Sequence, residues 1–202
     1  MAQTSSPKGD AVAVRARYQE AKKEYLAFER EHGHYVQTPN VRMHYLTWGN
    51  PKNTPLIWSH GSLAHSYELM DVAKMITEAG YYLIALDYYG HGKTPLPDHE
   101  VSVYHSADDI LVLMDSLNIK KAIIGGFSRG GFIAAAFYQS YPERVKALIL
   151  EDGGSVAFNT YYHSLTDQEL NQKIKSNLPS AEALKIYEGF YASEREDRKS
   201  VV

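Results

Sequence analysis

The feature that most constrains this chain is the glycine-flanked serine of Gly126-Phe127-Ser128-Arg129-Gly130. The short run before it, residues 121–124, is rich in β-branched residues and predicts a buried strand. The apolar run after it, residues 132–138, predicts a buried helix. A Gly-x-Ser-x-Gly turn between a strand and a helix is a nucleophile elbow, whose strained serine needs glycine neighbours to avoid collisions. The pattern predicts a nucleophilic Ser128; the alternative is a glycine-rich turn with an incidental serine.

Strand and helix patterns alternate on both sides of this turn. Continuous apolar runs predict strands that are covered on both faces, and apolar residues at helical spacing predict the helices between them. The alternation predicts an α/β fold with a mostly parallel central sheet and helices on both faces. The predicted strands are 35–37 and 41–46, which form a hairpin, then 56–58, 82–86, 121–124 and 146–150, and the predicted helices are 10–31, 67–79, 106–117 and 132–138.

The pattern divides the chain into four regions. Residues 1–9 are polar and predicted to be disordered, and residues 10–31 predict a charged N-terminal helix. Residues 32–154 carry the α/β core. Residues 155–202 contain no convincing buried strand and several aromatic residues, which predicts helices forming the start of a cap over the carboxyl edge of the sheet.

Composition narrows the classes of partner. The net charge of -3 and the pI near 6.3 argue against nucleic acid and anionic membranes. The chain has no cysteine, no His-Glu-x-x-His or other metal spacing, and no apolar run of membrane-spanning length. We therefore expect a small-molecule substrate, no metal and no cofactor. The polar start predicts a cytoplasmic protein, or a periplasmic or secreted one if a signal peptide has been removed. The oligomeric state is not readable from these patterns.

Ligands of open α/β sheets bind at the carboxyl ends of the strands, so the strand ends carry the candidate sites. His60-Gly61-Ser62 follows the predicted strand 56–58. The N–H groups of Ser62 and of Arg129, which follows the nucleophile, are the two candidate donors to an oxyanion. The alternative for His60-Gly61 is an ordinary turn that ends the strand.

Two other strand ends are less specific. Gly92-Lys93-Thr94 suggests a phosphate loop, but Asp87 stands where that motif needs glycine and Pro95-Leu96-Pro97 follows in place of a helix. A tight loop beside the pocket is therefore favoured over nucleotide binding. After the strand 146–150, Glu151 or Asp152 could orient a catalytic histidine, although a charged strand end is the more common role of such residues.

Taken together, these motifs resemble the α/β-hydrolase superfamily in its esterase-like branch with a serine nucleophile. The matching segments are His60-Gly61-Ser62, Asp87-Tyr88-Tyr89-Gly90-His91-Gly92 and Gly126-Phe127-Ser128-Arg129-Gly130-Gly131. The resemblance implies a serine hydrolase of a small ester, lactone or related carbonyl compound, with Ser128 as nucleophile and the N–H groups of Ser62 and Arg129 as the oxyanion hole. Haloalkane dehalogenases and epoxide hydrolases of this superfamily carry aspartate at the elbow, so serine at position 128 argues against both.

The chain departs from the family pattern in the order of its catalytic residues. In the family the order along the chain is serine, acid, histidine, and the only histidine after Ser128 is His163, within the predicted cap. We therefore expect an N-terminal fragment of a longer hydrolase that lacks the C-terminal part. The role of the family's catalytic base is not assigned to His163. The alternatives are a ligand-binding homologue without catalysis and an inactive truncated piece.

Overall fold

The computed structural model describes residues 8–153, 164–176, 180 and 185. The chain forms two compact units, Met1–Val156 and Ala157–Val202. The first seven residues of the predicted disordered start lie outside the described residues. So do His163 and most of the predicted cap, of which one helix is described.

A six-stranded sheet forms the centre of the first unit, in the order β1-β2-β4-β3-β5-β6. The strands β3 to β6 run parallel to one another, and the hairpin β1–β2 joins β4 in antiparallel orientation. The predicted α/β class, hairpin and mostly parallel sheet are confirmed. The strands are β1 Gly33–Gln37, β2 Arg42–Trp48, β3 Thr54–Ser59, β4 Tyr81–Leu86, β5 Ala122–Phe127 and β6 Val145–Glu151.

The predicted helices form with shifted bounds. The segment before α2 is a 3-10 turn, so the α-helix itself begins at Met70. The helix α3 begins three residues before the predicted start, because Ser102 and His105 form a capping box in which histidine replaces the usual Glu or Gln. The helices are α1 Lys8–His32, α2 Met70–Glu78, α3 Val103–Ser116, α4 Arg129–Ser140 and, in the second unit, α5 Asp167–Ser176.

Helices cover both faces of the sheet, as predicted. Alternate residues of β4 show the division, because Leu83 packs with Ala73 of α2 and Ile84 packs with the helices α3 and α4. The α3–α4 side holds the larger core, and its fully buried side chains include Ile57, Ile84, Leu86, Ile110, Leu113, Met114, Ile124, Ile133 and Phe137.

Only the C-terminal end of α1 packs on the sheet. Residues 11–27 are exposed, and Val12 and Tyr18 keep 73% and 62% of their surface accessible. Near the end of the helix the Phe28 ring lies 6.1 Å from the Trp48 ring and 5.8 Å from the Tyr67 ring. The apolar residues in the first half of this helix therefore do not contribute to the core. No described helix is long and apolar enough to cross a membrane.

Candidate active site

Ser128 lies at the tip of a sharp turn between β5 and α4. Its backbone has φ +49° and ψ −114°, a conformation that a residue with a side chain rarely adopts. The Ser128 N–H donates to the Glu151 carbonyl oxygen at 2.8 Å, and the Ser128 carbonyl oxygen accepts from the Gly131 N–H at 2.9 Å. The turn is thus held from the neighbouring strand β6 and from the first turn of α4. The side chain is half-buried.

The glycines of this turn permit a close approach of main chains. A β-carbon on Gly126 would lie 2.3 Å from the carbonyl group of Gly130. A β-carbon on Gly130 would lie 1.8 Å from the carbonyl oxygen of Ser59. Both distances are well below van der Waals contact, so larger residues would force the end of β3 and the start of α4 apart. The predicted collision of larger side chains at the positions of Gly126 and Gly130 is confirmed.

The loop after β3 lies directly against this turn. A β-carbon on Gly61 would lie 2.6 Å from the Phe127 ring and 3.5 Å from the β-carbon of Ser128. The loop then closes with a hydrogen bond from the Ala64 N–H to the Gly61 carbonyl oxygen at 3.3 Å. The fold therefore brings the His60-Gly61-Ser62 segment beside Ser128.

The two candidate oxyanion donors carry free main-chain N–H groups. Within the described part of the chain, neither the Ser62 N–H nor the Arg129 N–H donates a hydrogen bond. Arg129 is the first residue of α4, where an N–H has no partner inside the helix and the helix dipole favours negative charge. Both N–H groups are therefore available to a ligand.

His60 is held in one orientation beneath this loop. Its Nδ1–H donates to the Gly61 carbonyl oxygen at 2.7 Å, and its ring stacks on Tyr88 with 4.2 Å between centroids and 15° between planes. Burial lowers the pKa of His60 to about 4, outweighing the opposing hydrogen bond to Gly61. The imidazole is consequently neutral at pH 7 and supports the loop, and it is a weak base.

Tyr88, to which the sequence motifs give no role of its own, lies near the side chains of the two residues that carry the candidate N–H donors. Its side chain is buried, and burial raises the pKa of its hydroxyl to about 12. The Arg129 charge and the Ser62 hydroxyl act in the opposite direction on that pKa. The tyrosine is therefore close to the side chains of both residues. No local pattern could have indicated this, because the three residues come from three different strand ends.

Asp87 organises the loop after β4. One carboxylate oxygen accepts from the Ser66 N–H at 2.6 Å, and the other accepts from the Lys93 N–H at 3.0 Å and from His44 Nδ1 at 2.7 Å. Burial would raise the pKa of Asp87, but hydrogen bonds from His44, Ser66 and Lys93 outweigh it and hold the pKa below its ordinary value. A β-carbon on Gly92 would lie 2.1 Å from the carboxylate. The predicted tight loop is thus wrapped around a carboxylate of the chain itself.

The side chains of Lys93 and Thr94 in the Gly92-Lys93-Thr94 segment bind other residues of the protein. The Lys93 ammonium pairs with the Glu29 carboxylate of α1, which also accepts from the Tyr67 hydroxyl. The Thr94 hydroxyl oxygen accepts from the His44 N–H at 2.8 Å. These contacts hold the end of α1 against the loop and give the segment a structural role.

The carboxylates of Glu151 and Asp152 do not meet a histidine within the described residues. Both side chains are exposed, and Asp152 has φ +46°. The Glu151 main chain, rather than its carboxylate, contacts the elbow. Among the described residues, no cluster of three or more His, Cys, Asp or Glu is arranged to hold a metal ion.

A family model described as the alpha/beta hydrolase fold matches residues 54–187, a range that includes the Gly61 loop, the Asp87 loop and the Ser128 turn. The chain belongs to the α/β-hydrolase family. This match confirms the family resemblance.

Individual relatives agree with this assignment. The α/β-hydrolase chain is 27% identical over 134 residues to a cis-3-alkyl-4-alkyloxetan-2-one decarboxylase of Shewanella oneidensis, covering 64% of this chain and 40% of that protein. It is 38% identical over 125 residues to a 2-hydroxy-6-oxononadienedioate/2-hydroxy-6-oxononatrienedioate hydrolase of Paraburkholderia phymatum, covering 57% and 41%. The chain spans less than half the length of these two curated relatives.

The fold is also found among solved structures. A structure from work on carboxylesterases of Nitrososphaera gargenis superposes with a TM-score of 0.57 at 23% identity, covering 73% of this α/β-hydrolase chain and 60% of that chain. At this identity the likeness establishes the shared fold alone.

Proposed function

We propose that this α/β-hydrolase is a serine hydrolase of a small ester, lactone or related carbonyl compound. Ser128 is the nucleophile of the proposal, and the N–H groups of Ser62 and Arg129 form its oxyanion hole. The observation that carries the proposal is the contact between the Gly61 loop and the strained Ser128 turn. The N–H groups of Ser62, which follows Gly61, and of Arg129, which follows Ser128, make no hydrogen bond in the described part of the chain, and this supports their role as oxyanion donors.

The reaction follows from this arrangement. Ser128 Oγ attacks the substrate carbonyl carbon and loses its proton to a base, and the carbonyl oxygen becomes an oxyanion between the two N–H groups. Collapse expels the alcohol with a proton and leaves an acyl-serine, which water then hydrolyses. Within the described residues no side chain hydrogen-bonds to Ser128 Oγ, and His60 is buried with a pKa of about 4. The proposal therefore assigns no base.

The names of the relatives support a carbonyl substrate. An oxetan-2-one is a four-membered lactone, and the second relative is named as a hydrolase of an oxo-dicarboxylate. Both named substrates contain a carbonyl group. As part of the same proposal, residues 155–202 are the start of a helical cap.

The test is covalent labelling of the purified intact protein, including any C-terminal part that its gene encodes, with a fluorophosphonate probe, followed by peptide mass spectrometry. We expect one modified residue, Ser128, and no labelling of the Ser128→Ala variant. The matched control is Ser116→Ala at the end of α3, which should label like the wild type. A folded wild-type protein that stays unlabelled, or that labels at another serine, contradicts the proposal.

The second candidate is a ligand-binding homologue that retains the pocket without turnover. The absence of any hydrogen bond from a described side chain to Ser128 Oγ favours it. It predicts saturable binding of small carbonyl compounds, measured by calorimetry, without hydrolysis of a panel of p-nitrophenyl esters and lactones. Measurable hydrolysis that is lost in Ser128→Ala would reject it.

A further inference from the structure

Tyr88 occupies a fixed position behind the candidate oxyanion hole. It follows Asp87 directly after β4 and is 4% exposed. Its ring stacks on His60, the His60 ring donates to the Gly61 carbonyl oxygen, and Gly61 contacts the Ser128 turn. The His91 ring lies 4.5 Å from the Tyr88 ring and 5.1 Å from the His60 ring, measured between centroids, and it limits movement of the phenol further. The phenol is thus linked to the elbow through successive direct contacts.

The Tyr88 hydroxyl is a buried donor without a partner in the described part of the chain. Leaving a buried hydroxyl unpaired costs about 1–3 kcal/mol, and buried tyrosine hydroxyls usually find a partner. An orphaned donor in a candidate active site is therefore an indication of a hydrogen bond that forms with a ligand.

The surroundings of the hydroxyl indicate which ligand atom it meets. The Ser62 side chain and the Arg129 charge both lie close enough to stabilise negative charge at the Tyr88 oxygen. These are the two residues whose N–H groups form the proposed oxyanion hole. The geometry agrees, because the Tyr88 ring stacks on His60, and the His60 ring is hydrogen-bonded to Gly61 beside the Ser128 turn.

We propose that the Tyr88 hydroxyl is a third donor to the substrate carbonyl oxygen as that oxygen becomes an oxyanion, beside the N–H groups of Ser62 and Arg129. This inference rests on the proposed serine-hydrolase function. The hydroxyl keeps its proton throughout and only shortens its hydrogen bond as negative charge develops. Burial holds the pKa of Tyr88 near 12, so the group remains a donor across the neutral pH range.

The chain offers a matched control in the next residue. Tyr89 is 7% exposed and its hydroxyl is also without a hydrogen-bond partner in the described residues. The side chains that affect the pKa of the Tyr89 hydroxyl include Asp109 and Ser106, which belong to α3 and not to the Ser128 turn or the Gly61 loop. Tyr89→Phe therefore removes an equally buried hydroxyl of the same kind from a different environment.

The experiment compares fluorophosphonate labelling kinetics of the wild type, Tyr88→Phe and Tyr89→Phe. The tetrahedral phosphonyl adduct places an oxygen in the oxyanion hole, so the maximal labelling rate reports the donors there. We expect Tyr88→Phe to lower that rate about 10- to 100-fold, near the range for loss of one oxyanion donor. The probe concentration for half-maximal rate should stay unchanged, and Tyr89→Phe should label within about twofold of the wild type.

The possible failures are distinguishable. A wild type that does not label at Ser128 overturns the serine-hydrolase proposal and the role of Tyr88 with it. A labelled wild type with equal rates in all three proteins overturns the role of Tyr88 alone, as does a Tyr88→Phe effect confined to the half-maximal concentration. If Tyr88→Phe fails to fold, 3-fluorotyrosine at position 88 keeps the shape and strengthens the donor. A faster rate then supports the proposal and an unchanged rate overturns it.

Discussion

The main chain of Gly130 lies directly against the carbonyl oxygen of Ser59, at a distance that leaves no room for a β-carbon. This contact joins the end of β3, which leads into the Gly61 loop, to the first turn of α4, which follows Ser128. The Ser128 turn and the Gly61 loop are therefore parts of one packed unit, and neither can shift without the other.

Replacement of Gly130 tests this contact. Gly130→Ala would put its β-carbon 1.8 Å from Ser59 O, so we expect a loss of about 3 kcal/mol or more in the free energy of unfolding. Gly80→Ala is the control, since Gly80 has φ +88° but no atom within 4 Å of the added carbon. It should lose only about 1–2 kcal/mol from backbone strain. Urea unfolding measures both, and equal losses would contradict the close approach.

The strained backbone of Ser128 gives a second prediction. Glycine relieves the strain at φ +49° and alanine does not, so Ser128→Gly should be more stable than Ser128→Ala by about 1–3 kcal/mol. At Ser116, the last residue of α3, the order should reverse, because glycine weakens a helix relative to alanine by about 1 kcal/mol. Thermal unfolding of the four variants checks the prediction. The same order at both sites would show that Ser128 is not strained.

The Asp87 carboxylate gives a third prediction. Asp87→Asn removes a buried charge that accepts hydrogen bonds from His44, Ser66 and Lys93, which should lower the free energy of unfolding by about 2–4 kcal/mol at pH 7. The exposed Asp98→Asn should change it by no more than about 0.5 kcal/mol.

The pH dependence of this difference follows from the pKa of Asp87. Since the pKa of Asp87 in the folded protein lies below its ordinary value, the stabilisation by Asp87 is fully present above about pH 5 and is lost as the pH falls through the folded pKa. Urea unfolding of the wild type and Asp87→Asn should therefore converge in acid. A difference that grows below pH 4 would contradict the lowered pKa.

His60 gives a fourth prediction, in a different pH range. Its folded pKa of about 4 lies below the unfolded value of about 6.5, so the unfolded chain binds the proton first. Stability from His60 is therefore lost as the pH falls from about 6.5 towards 4, by about 3 kcal/mol in total. Histidine NMR signals followed from pH 7.5 to 3.5 test it directly. We expect the His60 ring to stay neutral at pH 5, and titration near 6.5 would refute the prediction.

Much of the α/β fold was predictable because its signals are local. Each buried strand carries its own apolar run, and the Ser128 turn carries its glycines within five residues. The start of α3 was predicted wrongly for a local reason too, since His105 closes the capping box in place of the usual acidic or amide residue.

The sequence by itself determined the helices and strands, the Ser128 turn and the family, because apolar periodicity and glycine spacing are properties of short segments. Only the tertiary structure decided which side chains meet. The antiparallel register of β2 on β4 pairs Tyr45 with Leu86, and one residue further it puts His44 opposite Asp87. The parallel order β4-β3-β5 likewise brings Tyr88, the Gly61 loop and Ser128 to one edge. Partners separated by about 40 residues leave no local pattern, since their contact depends on strand order and register, which only the packed sheet fixes.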